Sequence, residues 1–444
     1  MNDKDSLIQE LKNTQQKIVS LITTLSDEEI AMPYQPGVNP PLWELGHAAF
    51  FFEVFILKEL DKAESFDPSM DDIWDSFNID HGDRWQPGMI PSREKTLDYV
   101  NEIHQRILSR IENRELSQAD LYLYKYAIFH QNMHIESLIW ARQTMGYKKM
   151  EFSQSANQPI PLSDESDLGD ADIPAGRYWI GMPADSPQFA TEDFAFDNEK
   201  PGFEIEMEGF SISKTLVSNE EYLAFIEDGG YQNKELWSWG GKKWLGTEHD
   251  FGTPPEKLMA TPKHPVYWKQ EDGVWLERHF DQWQPLVADY PVTHVSFFEA
   301  EAFCNWAGRR LPTEYEWEVA ALANRAGQTP RKFPWGNEMD SSKVDMNGGH
   351  VAQIPVTAYP EGDSPFGCRQ MLGTVWEWTS SQYLPYPGFT VDMYVFMSTL
   401  QFGYHKTTRG GSCATSSILI RGSYRQAYLP ERNDVFVGFR TCAL

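Results

Sequence analysis

The chain has 444 residues and carries 65 Asp and Glu against 38 Lys and Arg, a formal charge of −27. That anionic surplus argues against nucleic acid or an anionic membrane as partner, since both repel an acidic protein. The length exceeds one domain of about 100–200 residues, and an aromatic fraction of 14% with 16 Trp supplies apolar area for more than one core, so chemistry on small molecules is the expectation.

The N-terminal stretch "MNDKDSLIQELKNTQQ" is charged, and no run of about 18 apolar residues is available to span a bilayer. Cys304, Cys368, Cys413 and Cys442 are far apart, with no CxxC pair, so neither a zinc ribbon nor a disulfide framework is indicated. An unexported protein of the reducing cytoplasm is expected.

In chain order, "DSLIQELKNTQQKIVSLITTLS" puts Leu7, Leu11, Ile18, Leu21 and Leu25 on one helical stripe. "PPLWELGHAAFFFEVFILKEL" and "REKTLDYVNEIHQRILSRIEN" read as two more helices. A fourth begins at Ser117 and Asp120 and stops at Gly146. Four long helices in residues 1–152 predict an up-down bundle. A Ser-, Pro- and Asp-rich linker is read over 153–172. From 173 to 444 short aromatic runs alternate with Gly, Pro, Asn and Asp, around helical patches "SFFEAEAFCNWAGR" and "TEYEWEVAALANR". The fold class is therefore multidomain, α followed by α+β.

His130 and His134 in "FHQNMHIESL" are four residues apart, which places their Cβ atoms roughly 5–6 Å apart on one helix face. His47 in "LWELGHAAFFFE" lies on another apolar helix. Three imidazoles from two helices suffice for a metal ion, and the ligand type suits Fe(II) or Zn(II). The zinc-protease pattern HExxH is not met, because Gln131 stands where its general base would be. The alternative is a set of structural histidines. Glu136, two residues past His134, is a candidate acceptor for an imidazole N–H, with an exposed helix glutamate as the alternative.

The second half carries the phrases "IPAGRYWIGM", "FSISKTLVSNEEYLAFI", "PVTHVSFFEAEAFCNWAGRRLPTEYEWEVAA", "FPWGN", "GCRQMLGTVWEWTSS", "RGGSCATS" and "VFVGFRTCAL". Together these resemble the formylglycine-generating-enzyme (sulfatase-modifying factor) domain, a C-type-lectin-like fold. "VWEW" predicts Trp376 and Trp378 on one strand face, and the glycines of "RGGS" predict a positive φ or a close backbone approach. Formylglycine generation needs two cysteines shortly after "RGGS"; only Cys413 is there, and it reads as a packing residue.

A DinB-like bundle with His47, His130 and His134 fused to such a domain resembles the non-heme iron sulfoxide synthases of ergothioneine biosynthesis (EgtB-type) and their selenoneine-synthase (SenA-type) relatives. The resemblance implies Fe(II) held by the three histidines, O2 as co-substrate, a thiol or selenol donor, and hercynine as acceptor. It implies a C–S or C–Se bond at the imidazole C2.

Carried over position by position, the resemblance assigns Tyr394 in "PGFTVDMYVFMSTLQFGYHKTTRGGS" as proton donor, with Met397 at the position of a second family tyrosine. In "YRQAYLPERNDVFVGFR", Arg432 matches an arginine that clamps a substrate carboxylate. Tyr428 replaces the family's aspartate, Ala427 its tryptophan, and Met133 a glutamine that contacts the acceptor imidazole. Gln426 joins this substrate set. Arg84 and Arg93 of "HGDRWQPGMIPSRE" are donor contacts by the same resemblance, Arg93 fitting better. These departures leave the iron ligands intact and rewrite the substrate contacts, so γ-glutamylcysteine is disfavoured and a selenosugar, free cysteine or another thiol stays open.

Asn337, Asp345 and Asn347 offer oxygens suited to a structural Ca²⁺, with loop capping as the alternative. His264, His279, His294, His350 and His405 read as structural. Two further readings remain: a 5-histidylcysteine sulfoxide synthase of ovothiol biosynthesis, which takes unmethylated histidine, and a non-catalytic binding protein on the same fold. No feature of the sequence reports an oligomeric state.

Overall fold

The computed structural model describes residues 4–150, 159–163, 169–183, 194–248, 262–328 and 330–444. They form two compact units: residues 4–150 with Phe194, and the remaining described residues from 159 onward. Among the described residues no helix is long and apolar enough to cross a membrane.

The first unit is the expected helical bundle. Helix α1 (Lys4–Thr23) buries Leu7, Leu11, Ile18 and Leu21, the stripe read from its spacing. Helix α2 (Pro41–Phe52) starts on a proline, which costs nothing where no intrahelical N–H bond is due, and all of its residues are buried. The sequence predicts one regular helix on to Leu60; instead Glu53–Lys58 continues as a wider π-helical turn. There Glu53 is buried and accepts hydrogen bonds from Tyr99 Oη at 2.5 Å and Phe66 N at 2.6 Å.

Helix α3 (Arg93–Asn113) is capped by Ser92 and buries Tyr99, Val100, Ile103, Ile107 and Ile111 at helical spacing. Helix α4 (Gln118–Met145) opens on a reciprocal capping box between Ser117 and Asp120 and closes at Gly146, whose φ of 68° is the left-handed stop its position implies. Helix α2 packs on α3 and α4, and α1 on both of the same helices. Each fully buried Leu or Ile contributes about 1.5–3 kcal/mol relative to exposure, so the stripes hold the four helices together and fix what α2 and α4 present to each other.

The second unit mixes small sheets with helices. Strand β1 (Asp170–Ile173) begins inside the stretch read as linker, because Ala171 and Ile173 are buried and pair antiparallel with the strand Phe210–Ser213. Residues 153–158 and 164–168 of that linker lie outside the described residues. The helical patches of the sequence become Phe297–Ala307 and Glu314–Leu322, each opened by a capping box, from Ser296 and Thr313. A four-stranded sheet combines Trp376–Gln382, Lys406–Arg409, Arg425–Tyr428 and Val437–Gly438, the last of these parallel to the first.

Trp376 and Trp378 alternate on the Trp376–Gln382 strand and are both buried, and between them Glu377 is buried against Arg440. Gly410 and Gly411 have φ of 96° and 75°. A Cβ on Gly410 would lie 2.9 Å from the Met371 carbonyl oxygen, so both readings of "RGGS" hold. The four cysteines are free and buried, Cys413 among them.

The oxygens read as suited to Ca²⁺ each accept backbone N–H groups. Asn337 Oδ1 accepts from Lys332 N, Asp345 from His350 N and Ala352 N, and Asn347 Oδ1 from Ser417 N. All three residues cap irregular backbone, the alternative use of such side chains.

Candidate metal centre

Helix α2 supplies His47, and α4 supplies His130 and His134. One ring nitrogen of each lies within 4.8 Å of the others, the one such cluster of three among the described residues. His130 Nε2 and His134 Nε2 are 3.2 Å apart. Two nitrogens each about 2.1 Å from one ion and at right angles to it are about 3 Å apart, so this spacing suits shared coordination.

The partners of the other ring nitrogens decide which tautomers are present. His47 Nδ1 lies 2.6 Å from the carbonyl oxygen of Trp74, and His134 Nδ1 meets the carboxylate of Glu44. Both partners only accept, so both Nδ1 atoms carry a proton and both rings turn Nε2 toward the cluster. Burial, with His134 nearby, lowers His47 to a pKa of about 3 and pushes His130 well below the usual histidine range. Both imidazoles are therefore neutral, the form that ligates metals. Three imidazole nitrogens within 4.8 Å of one another fit a divalent ion.

Packing fixes the rings. Trp43 stacks on His47 at 4.6 Å and 10° between planes, and Phe51 stacks on His130 at 4.0 Å and 23°. Gly46 explains how Trp74 reaches His47: a Cβ there would lie 2.6 Å from the Trp74 indole. The indole lies flat on bare backbone, which brings the Trp74 carbonyl to the next residue's side chain.

Glu44 is buried at 2% exposure and accepts from Asn39 Nδ2 at 2.8 Å and Ser137 Oγ at 2.9 Å as well as from His134. Burial raises its pKa, but the histidine and the other donors outweigh that and hold it at about 2. The carboxylate against the His134 imidazole is thus Glu44, a residue the sequence reading did not single out. Glu136 is buried, which excludes its exposed alternative. Glu44 escaped notice because its contact with α4 is tertiary, but a signal existed: it is the one carboxylate in Pro41–Phe52, and buried charges demand partners.

Gln131, the residue in place of a protease base, faces His104 Nε2 at 3.1 Å. Met133 is half-buried on α4. Arg84 lies 3.7 Å over the Trp43 ring, and its Nη1 donates to Asn39 Oδ1 at 2.7 Å. The structure thus joins Arg84 to the histidine cluster through Trp43 and Asn39. Arg93 is elsewhere, donating to Leu25 O at 2.8 Å and paired with Asp27 at 3.0 Å.

In the second unit, Gln426 and Tyr428 share the strand Arg425–Tyr428, and Gln426 Oε1 accepts from Ala427 N. Tyr428 is buried with its ring edge toward Trp376 and Trp378. The Arg432 guanidinium lies 5.6 Å from the Tyr428 ring and forms a bidentate pair with Asp434, at 2.5 and 2.7 Å. Tyr394 is half-buried and precedes a short 3₁₀ turn, Val395–Met397, in which Met397 is buried.

Comparison with known proteins agrees with this architecture. The DinB superfamily pattern matches residues 10–140, and the sulfatase-modifying factor enzyme 1-like domain matches 167–443. A hercynine oxygenase of Mycolicibacterium smegmatis is 31% identical over 450 residues, covering 98% of this chain and 98% of that protein. The hercynine oxygenase of Mycobacterium tuberculosis is 30% identical over 425 residues, 94% of each. A formylglycine-generating enzyme of Thermomonospora curvata is 28% identical over 308 residues, 61% of this chain and 92% of that protein.

Proposed function

This chain belongs to the hercynine oxygenase family, and from that membership we propose that it is an Fe(II)- and O2-dependent enzyme joining sulfur or selenium to the imidazole C2 of hercynine. The observation that carries the metal half of this reading is the gathering of three histidine nitrogens within 4.8 Å of one another, two of the rings with Nδ1 protons fixed by Trp74 O and Glu44.

Bound there, Fe(II) supplies the redox chemistry that O2 needs to react with a closed-shell thiol. With a thiol donor the atoms balance as one thiol, one imidazole C2–H and one O2 giving a sulfoxide and water. His47, His130 and His134 would hold the ion through their ring nitrogens, and substrate atoms would complete its coordination. Trp43 and Phe51 clamp two of the rings, so little rearrangement is needed on loading.

Tyr394 is assigned the proton, since a phenol with a pKa near 10 stays neutral at rest and can donate. Met133, Met397, Gln426, Tyr428 and Arg432 are assigned to substrate. The Arg432 fork is already held by Asp434, so a donor carboxylate must share or displace that pair. Arg84 and Arg93 direct donors at Asn39 and Leu25, and we assign them to bracing the bundle.

The test is anaerobic reconstitution with Fe(II), then admission of O2 to hercynine with cysteine, γ-glutamylcysteine or a selenosugar, with products read by mass spectrometry. A product carrying the donor atom on the imidazole is expected from hercynine. Turnover of histidine in its place would move the assignment to the ovothiol branch, and no product from any pair would overturn it.

A further inference from the structure

Glu44 makes a chain of contacts whose polarity can be read atom by atom. Arginine only donates, so Arg84 Nη1, 2.7 Å from Asn39, fixes the Asn39 amide with Oδ1 toward Arg84 and Nδ2 toward Glu44. Asn39 Nδ2 then donates to Glu44 Oε1 at 2.8 Å, and Ser137 Oγ donates to the same oxygen at 2.9 Å. The other oxygen, Oε2, meets His134 Nδ1. Arg84 and Asn39 thus commit one face of the Glu44 carboxylate, and the opposite face accepts the His134 proton. A neutral ring with its proton there carries its lone pair on Nε2, the atom that faces His130 Nε2 at 3.2 Å.

We propose that Glu44 is the positioning residue of the metal centre: oriented by Asn39 and Arg84, it holds the proton of His134 on Nδ1 and so keeps Nε2 available to the ion. The inference rests on the metal reading above, and it concerns which nitrogen carries a proton.

The polarity gives a test that an ordinary packing role does not meet. In Glu44→Gln the shape is unchanged, but Asn39 Nδ2 still donates and so draws the new carbonyl oxygen to the Oε1 position. The new amide NH2 is left facing His134 Nδ1. Two donors cannot share that contact, so the apo histidine shifts its proton to Nε2, the atom the metal needs. Adding Asn39→Asp reverses the arrangement. The carboxylate introduced at position 39 accepts from the amide NH2 introduced at position 44, whose carbonyl then turns to His134. Nδ1–H is restored while Arg84 keeps a partner.

Fe(II) and Co(II) affinity by anaerobic titration, the Co(II) absorption spectrum, and ¹⁵N shifts of labelled histidine in metal-free protein read the outcome without turnover. Glu44→Gln should lose about 10–100-fold in affinity, the range for a lost partner of a ligating histidine, with the His134 proton on Nε2. The double variant should recover most of the loss. Wild-type affinity in Glu44→Gln, or a double variant no better than the single one, overturns the proposal. Should Glu44→Gln fail to fold, the wild-type ¹⁵N spectrum decides, since a metal-free His134 protonated on Nε2 contradicts it. Wild-type protein that binds neither ion would overturn the metal reading itself, a separate result.

Discussion

The two units bury polar groups in opposite ways. In the second unit, buried arginines face buried carboxylates: Arg409 with Glu318, Arg425 with Glu314, Arg421 with Glu199, and Arg440 with Glu377. Each cation is neutralised by a neighbour, and extra bonds to carbonyls complete the set, as with Arg440 and the oxygens of Ser213, Lys214 and Arg369. In the bundle, three imidazoles turn ring nitrogens toward one another, and the nearby carboxylate is committed to an N–H on the far side of one ring. A closed set of opposite charges is scaffold. Three ring nitrogens within 4.8 Å of one another can share a cation, and that difference marks the site.

The comparison is broken most directly by removing an acceptor. His134→Ala should abolish stoichiometric Fe(II) binding, read by iron content after anaerobic dialysis, because two remaining nitrogens make a poor site. Retained iron at one per chain would place the metal elsewhere.

Removing a partner in the second unit should act on stability. Glu377→Ala leaves the Arg440 guanidinium buried at 0% exposure without its carboxylate. Breaking such a pair costs about 3–5 kcal/mol, measurable as a fall in the denaturant midpoint, and any folded protein should still take up Fe(II).

Gly46→Ala tests the join between packing and ligand. The added methyl must displace the Trp74 indole, an overpacking cost of about 1–3 kcal/mol. Because the Trp74 carbonyl holds His47 Nδ1, metal affinity should fall with stability. A stability loss with unchanged affinity would show that the Trp74 contact does not govern His47.

Much of this was legible in the sequence. The stripes of α1 and α3, the Ser117 box and the Gly146 stop are local signals that tertiary packing did not override, and HxxxH spacing put His130 and His134 on one face because helix geometry leaves no choice. What was hidden is nonlocal or backbone in nature. Glu44 acts across to α4, the Trp74 carbonyl has no sequence signature, and the π-helical turn at Glu53–Lys58 follows an apparently regular helical pattern. The oxygens of Asn337, Asp345 and Asn347 have the right chemistry for Ca²⁺, but composition could not say that backbone N–H groups already hold them.

A buried histidine in the second unit separates burial from metal chemistry. His294 has its pKa lowered to about 3 by burial, with Arg278 adding to the effect. Below an unfolded value near 6.5 the unfolded chain takes up this proton and the folded protein does not. Its contribution to stability is therefore complete above pH 6.5 and lost as pH falls toward 3, by at most about 1.4 kcal/mol per pH unit. His294→Asn, which tolerates the φ of 59° there, should flatten the acid side of the stability profile. An unchanged slope would mean His294 is protonated in the folded protein.

The smallest effect is expected at Arg93, and it sharpens the comparison where a resemblance and a contact differ. The resemblance makes Arg93 a donor contact, yet its guanidinium bonds Leu25 O just past the end of α1 and pairs with Asp27, whose side chain is 93% exposed. So exposed a pair contributes about 0–1 kcal/mol, and one hydrogen bond to a carbonyl adds a similar amount. Arg93→Ala should therefore shift the denaturant midpoint slightly, leave iron content at the wild-type level, and change the KM for the sulfur or selenium donor by less than about twofold. A several-fold rise in that KM at constant kcat would show that the guanidinium leaves Leu25 to bind the donor, making Arg93 part of recognition and not of the closed, self-paired class of charges.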